Sequence, residues 1–186
     1  EKVSGGSWLL RAQAICPAWA YYQFRLGGEA MDEPVEGLDP AARGTLVHEA
    51  LEAFWTAVRS SQALAALTEP ARQQVIAEAV SKALQTYELD HRLTLPARFR
   101  ELEAARLSKL LTVWLTVESR RGLDFEVVAC EKVAEVEIEK IRVKMIVDRI
   151  DQLADGRQVI IDYNTGAAVD IKNWADARIT EPQLPI

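Results

Sequence analysis

Apolar positions recur with two different periods along this chain, and the change falls near residue 123. Up to that point the spacing is helical. The stretch SWLLRAQAICPAWAYYQFRLG (7–27) is apolar and aromatic, with a break expected near Pro17, and MDEPVEGLDP (31–40) is a polar loop. Asp39-Pro40 is a start signal, because Asp caps free N–H groups and Pro suits the first helical position. The helix that follows puts Leu46, Val47, Ala50, Leu51, Phe54, Trp55 and Val58 on one stripe. A third helix opens near Thr68-Glu69-Pro70 with the stripe Val75, Ile76, Ala79, Val80, Ala83, Leu84 and Tyr87. A fourth, after Pro96, carries Leu107, Leu110, Leu111, Trp114 and Val117 and ends near Arg120, Arg121 and Gly122. From Phe125 the period drops to two. FEVVACEKVAEVEIE, IRVKMIVDRID and, after an Asp-Gly turn, QVIIDYN read as three strands of an antiparallel meander, with a tight turn near Glu139-Lys140. The tail after Val169 reads as loop and the start of one more helix. The pattern predicts an α/β domain, a helical front half packed on a sheet.

A chain of 186 residues, 49% apolar and 27% charged, has enough material for one sizeable core. No apolar run is long enough to span a bilayer, and no basic leader with an apolar core opens the chain. Two cysteines, Cys16 and Cys130, are too few for a disulfide scaffold, so a reducing, cytoplasmic setting is expected. The net charge of −6 argues against an autonomous, strongly basic nucleic-acid binder but not against an enzyme that meets DNA around a metal-charged site. The chain starts on Glu1 rather than Met and stops at EPQLPI, as expected of a piece of a longer protein.

The candidate chemistry lies where two strands end. Period two puts Lys144, Ile146 and Asp148 on one face, and Ile160, Asp162 and Asn164 on one face of the next strand. If the strands are neighbours, Asp148 and Asp162 meet at the sheet's end. Two adjacent carboxylates repel, and a divalent cation between them removes the conflict. Oxygen ligands of this kind suit Mg²⁺ or Mn²⁺. The plainer alternative is a pair of solvated strand-end residues. His48 sits at the border of the second helix's apolar stripe, one turn after Gly44, which lets another backbone approach closely. It is either a half-buried packing residue or a further ligand, the latter if its helix crosses the strand ends.

Four stretches then occur in order: SGGSWLLRAQAICPAWAYYQFRLG, RGTLVHEALEAFW, MIVDRIDQLADGRQVIIDYNTG and EPQLP. Together they resemble the RecB/AddB-like nuclease domain of the PD-(D/E)XK superfamily, and within it the AddB-like bacterial proteins described as probable DNA repair proteins. The resemblance spans nearly the whole chain. It implies a single domain over 1–186, mainly helical over 1–122, with the acidic motifs in the strand meander of 123–186. It also implies a restriction-endonuclease-like core, a mixed sheet flanked by helices. His48 matches the histidine ligand of the family's helical motif, Asp148 its first acidic residue and Asp162 its second, with the main-chain carbonyl of Tyr163 as a further ligand. Gln183 matches the glutamine of the Q-L-x-x-Y motif, which positions DNA or active-site groups. Glu131 matches loosely a glutamate on the first strand. The implied activity is Mg²⁺- or Mn²⁺-dependent hydrolysis of DNA phosphodiesters, as an exodeoxyribonuclease processing double-strand breaks beside a helicase partner.

Two departures stand out. The family's third motif is D-Y-K, and here Asn164 occupies the lysine position. The lysine ammonium orients the attacking water and steadies charge developing on phosphate. An amide donates hydrogen bonds but carries no charge. A laboratory substitution, a natural loss of activity or a migrated lysine would each account for this. Lys144 shares the Asp148 face but lies about 13 Å away along the strand. A non-catalytic DNA-binding or scaffolding module of a helicase–nuclease complex is the alternative reading. The second departure concerns the iron–sulfur cluster held by some relatives, which is not expected here. Cys130 is misplaced on a strand, and Cys16 reads as a buried small hydrophobe beside Pro17.

Overall fold

The computed structural model describes residues 5–28, 31, 37–138 and 141–166. The chain divides into two compact units, one of Glu1–Pro34, Glu131–Val147 and Gly166–Ile186, the other of Val35–Cys130 and Asp148–Thr165. The larger unit holds helices α3 (Pro40–Val58), α4 (Ser61–Ala66), α5 (Glu69–Asp90) and α6 (Ala97–Glu118). The caps are those the local chemistry asks for. Asp39 Oδ1 accepts from the Ala42 N–H at 2.7 Å, Ser60 caps α4 through Ala63, and Thr68 caps α5 through Ala71. The expected stripe of α3 is buried along its whole length, and α5 buries Ile76, Ala79, Val80, Ala83, Leu84 and Tyr87.

Helix α6 keeps the expected face, with Leu107 and Leu111 buried and Leu110 and Trp114 packed against the core, and departs from it at the end, where Leu115 is buried and Val117 is 64% exposed. Glu103 is buried on the same face. It is buried because Arg106 and Arg43 hold its two carboxylate oxygens, so an acid takes a core position that hydropathy assigns to an apolar residue. Helix α4, a single short piece, had no counterpart in the periodic pattern.

Strands β1 (Phe125–Ile138), β2 (Ile141–Leu153) and β3 (Gln158–Ile161) form a sheet of order β1-β2-β3. Strand β3 pairs antiparallel with β2 in a register that sets Arg149 against Ile161 and Ile150 against Ile160. The connection is the expected Asp-Gly turn, with Gly156 at φ +85°. In the larger unit Phe125, Val127 and Tyr163 join the helical core, with Leu153 and Ile161 packed against it. The fold is α/β, helices on a strand meander, consistent with a restriction-endonuclease-like fold. Glu131 on β1 has φ +45°, a left-handed conformation rare for a non-glycine residue, which interrupts the pleat alternation.

In the smaller unit the first helical stretch is broken where Pro17 predicts. Helix α1 (Gly6–Ile15) stops at Cys16, which is extended (φ −155°, ψ 110°) as a residue before proline prefers. Helix α2 (Pro17–Ala20) then runs into a π-helical turn, Tyr21–Arg25. Cys16 is exposed rather than buried, because it lies in the break itself. The turn at Glu139-Lys140, much of the 31–40 loop, the tail helix and Gln183 lie outside the described residues.

Candidate metal centre

The β2–β3 ladder stops at Arg149↔Ile161, and the reason is a side chain. One step further in the same register, Asp162 stands across from Asp148. There the Asp148 carboxylate takes over from the backbone: Oδ2 accepts the Tyr163 N–H at 2.6 Å. A carboxylate bound to a backbone N–H holds a fixed orientation. Asp148 is almost completely buried, Asp162 is half-buried, and Asn164 is exposed.

Helix α3 brings His48 to the same place. Its Nδ1 lies 3.3 Å from Asp148 Oδ1, the oxygen that Tyr163 does not use. Four residues before His48, Gly44 is buried, and a Cβ there would sit 2.8 Å from Thr165 Oγ1. The glycine therefore lets the segment after β3 lie directly against α3. This is the close approach its sequence position suggests.

Beneath the carboxylates is a dry, charged layer. Arg149 has no exposed surface, and neither does Asp151. The Arg149 fork donates to both Asp151 oxygens at 2.7 Å, to Glu118 at 2.9 Å and to the Tyr163 hydroxyl at 3.1 Å. Its guanidinium carbon lies 4.0 Å from the centre of the Trp55 ring. Burial alone works to lower the Arg149 pKa, but the Asp151 hydrogen bonds and the Glu118 carboxylate outweigh it, and the net shift is upward. Burial pushes the Tyr163 phenol well above its ordinary range, with Arg149 opposing in part, so the hydroxyl stays protonated. The Tyr163 ring meets His48 and Trp114 edge-on, at 6.1 and 5.2 Å between centroids.

The model of the PD-(D/E)XK nuclease superfamily matches residues 10–186. The chain belongs to that superfamily. A search of curated proteins finds no match. PD-(D/E)XK enzymes are nucleases that use divalent metals, and the donor chemistry here fits such an ion. His48 and Asp148 present a nitrogen and a carboxylate oxygen to one point, and both belong to a group of side chains able to hold a metal. The second Asp148 oxygen is spent on a backbone N–H, so Oδ1 is the one left facing His48 Nδ1. Carboxylates with one imidazole suit Mn²⁺ at least as well as Mg²⁺.

The structure thus brings His48, Asp148 and the backbone of Tyr163 together and sets Asp162 next in register. Asn164 lies on the exposed segment just beyond. The sequence reading gave Tyr163 only a main-chain role and passed over Arg149, Asp151, Glu118 and Trp114. One signal was available: Arg149 and Asp151 alternate with Ile150 in VDRID, so one face of an otherwise apolar strand carries both charges. A charge pair spaced two apart on a core strand marks a buried ion pair.

Proposed function

We propose that this domain is a metal-dependent deoxyribonuclease of the RecB/AddB-like type, cytoplasmic, hydrolysing DNA phosphodiesters at broken ends beside a helicase partner. The observation that carries the reading is the His48 Nδ1–Asp148 Oδ1 approach of 3.3 Å at the end of the ladder where Asp162 comes next in register. His48, Asp148, Asp162 and the Tyr163 carbonyl would hold Mg²⁺ or Mn²⁺. Gln183 would be a DNA-positioning residue, on its place in the family pattern. A bound cation of this kind supplies a water of lowered pKa and an electrophile for a phosphate oxygen. The chain's own residues do the positioning. The Tyr163 N–H holds the Asp148 carboxylate, α3 presents His48, and β3 delivers Asp162.

Asn164 supplies a hydrogen-bond donor where the family has a cation. Losing one preorganised electrostatic element costs on the order of a hundredfold or more in rate. The domain as it stands would therefore cleave slowly or not at all, and a DNA-binding module that has lost cleavage is the second reading, favoured by the uncharged amide at 164. The test is a time course on labelled linear duplex and single-stranded DNA with Mg²⁺ or Mn²⁺, alongside metal-dependent melting. Mn²⁺ should raise the Tm of the parent protein, since a ligand bound only to the folded state stabilises it. Asp148→Ala and Asp162→Ala should abolish that rise. Asn164→Lys should raise cleavage about a hundredfold, with Asp162→Ala as the inert control. If Asn164→Lys stays inert while still binding metal and DNA, the non-catalytic module is the correct reading.

A further inference from the structure

Tyr163 touches three parts of this region. Its backbone N–H binds Asp148 Oδ2, its ring packs edge-on against His48, and its hydroxyl accepts from the buried Arg149. A tyrosine at the end of a strand needs none of these. The ring is buried among aromatic and apolar side chains, and a phenol oxygen there requires a partner. Arg149 supplies it from a fork whose other donors are fixed on Asp151 and Glu118. The hydroxyl is thus tied to a cation of β2 with no exposed surface, while the backbone of the same residue ties down the Asp148 carboxylate. His48 gains its ring orientation from the same side chain.

Resting on the reading of His48 and Asp148 as metal-holding residues, we propose that Tyr163, anchored by Arg149, is the positioning residue that holds the Asp148 carboxylate and the His48 imidazole at one point. It acts through its hydroxyl and N–H, whereas the family pattern gives this position only a main-chain carbonyl. Arg149 is the fixed post, and strand β2 transmits its rigidity to the ladder end. Partners that orient a metal ligand are commonly worth about 10- to 100-fold in affinity.

Tyr163→Phe in the full chain keeps the ring, the N–H and the carbonyl and removes only the hydroxyl. Two readouts follow, one with metal and one without. Calorimetric titration with Mn²⁺ should show affinity about tenfold weaker than in the parent. Amide hydrogen exchange in metal-free protein should speed up at residue 163, while the amides of α3 and α6 keep their protection. Leu111→Ala serves as the control, a core truncation on α6 outside the Tyr163 hydrogen bonds that lowers the Tm but leaves the Mn²⁺ affinity of the folded protein unchanged. Equal Mn²⁺ affinity in parent and Tyr163→Phe, with unchanged exchange at 163, overturns the proposal. A Tyr163→Phe loss matched by an equal loss in Leu111→Ala also overturns it, since that marks general loosening. If the parent binds no Mn²⁺ at all, the metal reading fails by itself. The exchange experiment then decides the positioning role: faster exchange at 163 upholds it, and unchanged exchange refutes it.

Discussion

Replacing Arg149 with methionine should strongly destabilise the larger unit. The guanidinium is fully buried and makes two 2.7 Å bonds to Asp151, one of 2.9 Å to Glu118 and one of 3.1 Å to Tyr163. Methionine fills most of the volume but leaves Asp151, itself without exposed surface, short of its main counter-charge. Breaking a buried ion pair from one side costs about 3–5 kcal/mol, because the remaining charge stays desolvated. Arg121 moderates this. Its Nη1 donates to Asp151 Oδ2 at 2.6 Å and survives the substitution, so the lower end, about 3 kcal/mol, is expected. Removing both charges with Arg149→Met/Asp151→Leu should recover much of the loss, since a well-packed apolar pair often equals a buried salt bridge. Arg149→Lys keeps the charge but loses the fork and should fall between parent and Arg149→Met. Urea denaturation followed by far-UV circular dichroism, in metal-free buffer, gives the stabilities of these four proteins and of the Asp151→Leu single variant. A cost below about 1 kcal/mol for Arg149→Met would show that the network carries little of the fold. A double variant as unstable as the sum of its single variants would refute the pairing, because contacting residues must couple.

Two further changes probe the approach of α3 to the ladder end and the thiols. Gly44→Ala places a methyl 2.8 Å from Thr165 Oγ1, against a helix-propensity gain of about 1 kcal/mol. The metal-free Tm should hold or rise while the Mn²⁺-induced rise shrinks, and Thr165→Ala in the same chain should restore that rise; an unchanged metal response to Gly44→Ala alone would sink the spacing argument. For the thiols, burial first and then Glu52 push the Cys130 pKa up, whereas Cys16 is exposed. Iodoacetamide at pH 8 should therefore modify Cys16 well before Cys130, with Cys130 gaining rate as the pH rises further through its elevated pKa, and peptide mapping that finds the reverse order would contradict the burial.

The helices were legible wherever burial follows hydropathy. The α3 stripe came out residue for residue because every core position on it is apolar apart from Gly44, itself read as a close-approach site. The strand meander and its Asp-Gly turn were legible from period two and turn chemistry. Where charge is buried, the pattern misleads. Glu103 holds a core position on α6, which hydropathy does not assign to an acid, because two arginines neutralise it. The same blindness hid Arg149 and Asp151. In VDRID both faces of the strand carry acids, and which face goes inside depends on Glu118, Trp55 and Tyr163, partners far away in sequence. Asp148, Asp162 and His48 were identifiable as residue types at strand ends and on a helix border. That Asp148 spends one oxygen on the Tyr163 N–H was not readable, because it depends on where the ladder stops.

The division of labour between these groups bears on what a missing cation at position 164 does to the protein. The residues that hold the ladder end are Arg149, Asp151 and Tyr163, all buried, and the part-buried Glu118, with Arg121 as the second cation against the two carboxylates. Asn164 is exposed, outside that layer. A charge at an exposed position adds little to folding, because water already solvates it. The same charge beside a reacting phosphate matters greatly, because the site is closed to water when substrate binds. Selection on stability therefore does not protect a lysine at 164, whereas it does protect the Arg149 layer. A chain can lose the cation and keep the strand, the His48–Asp148 pair and the bound Tyr163 backbone intact. Stability measurements on Asn164→Lys should then move by no more than about 0.5 kcal/mol even where cleavage changes a hundredfold, which separates the two functions at one residue.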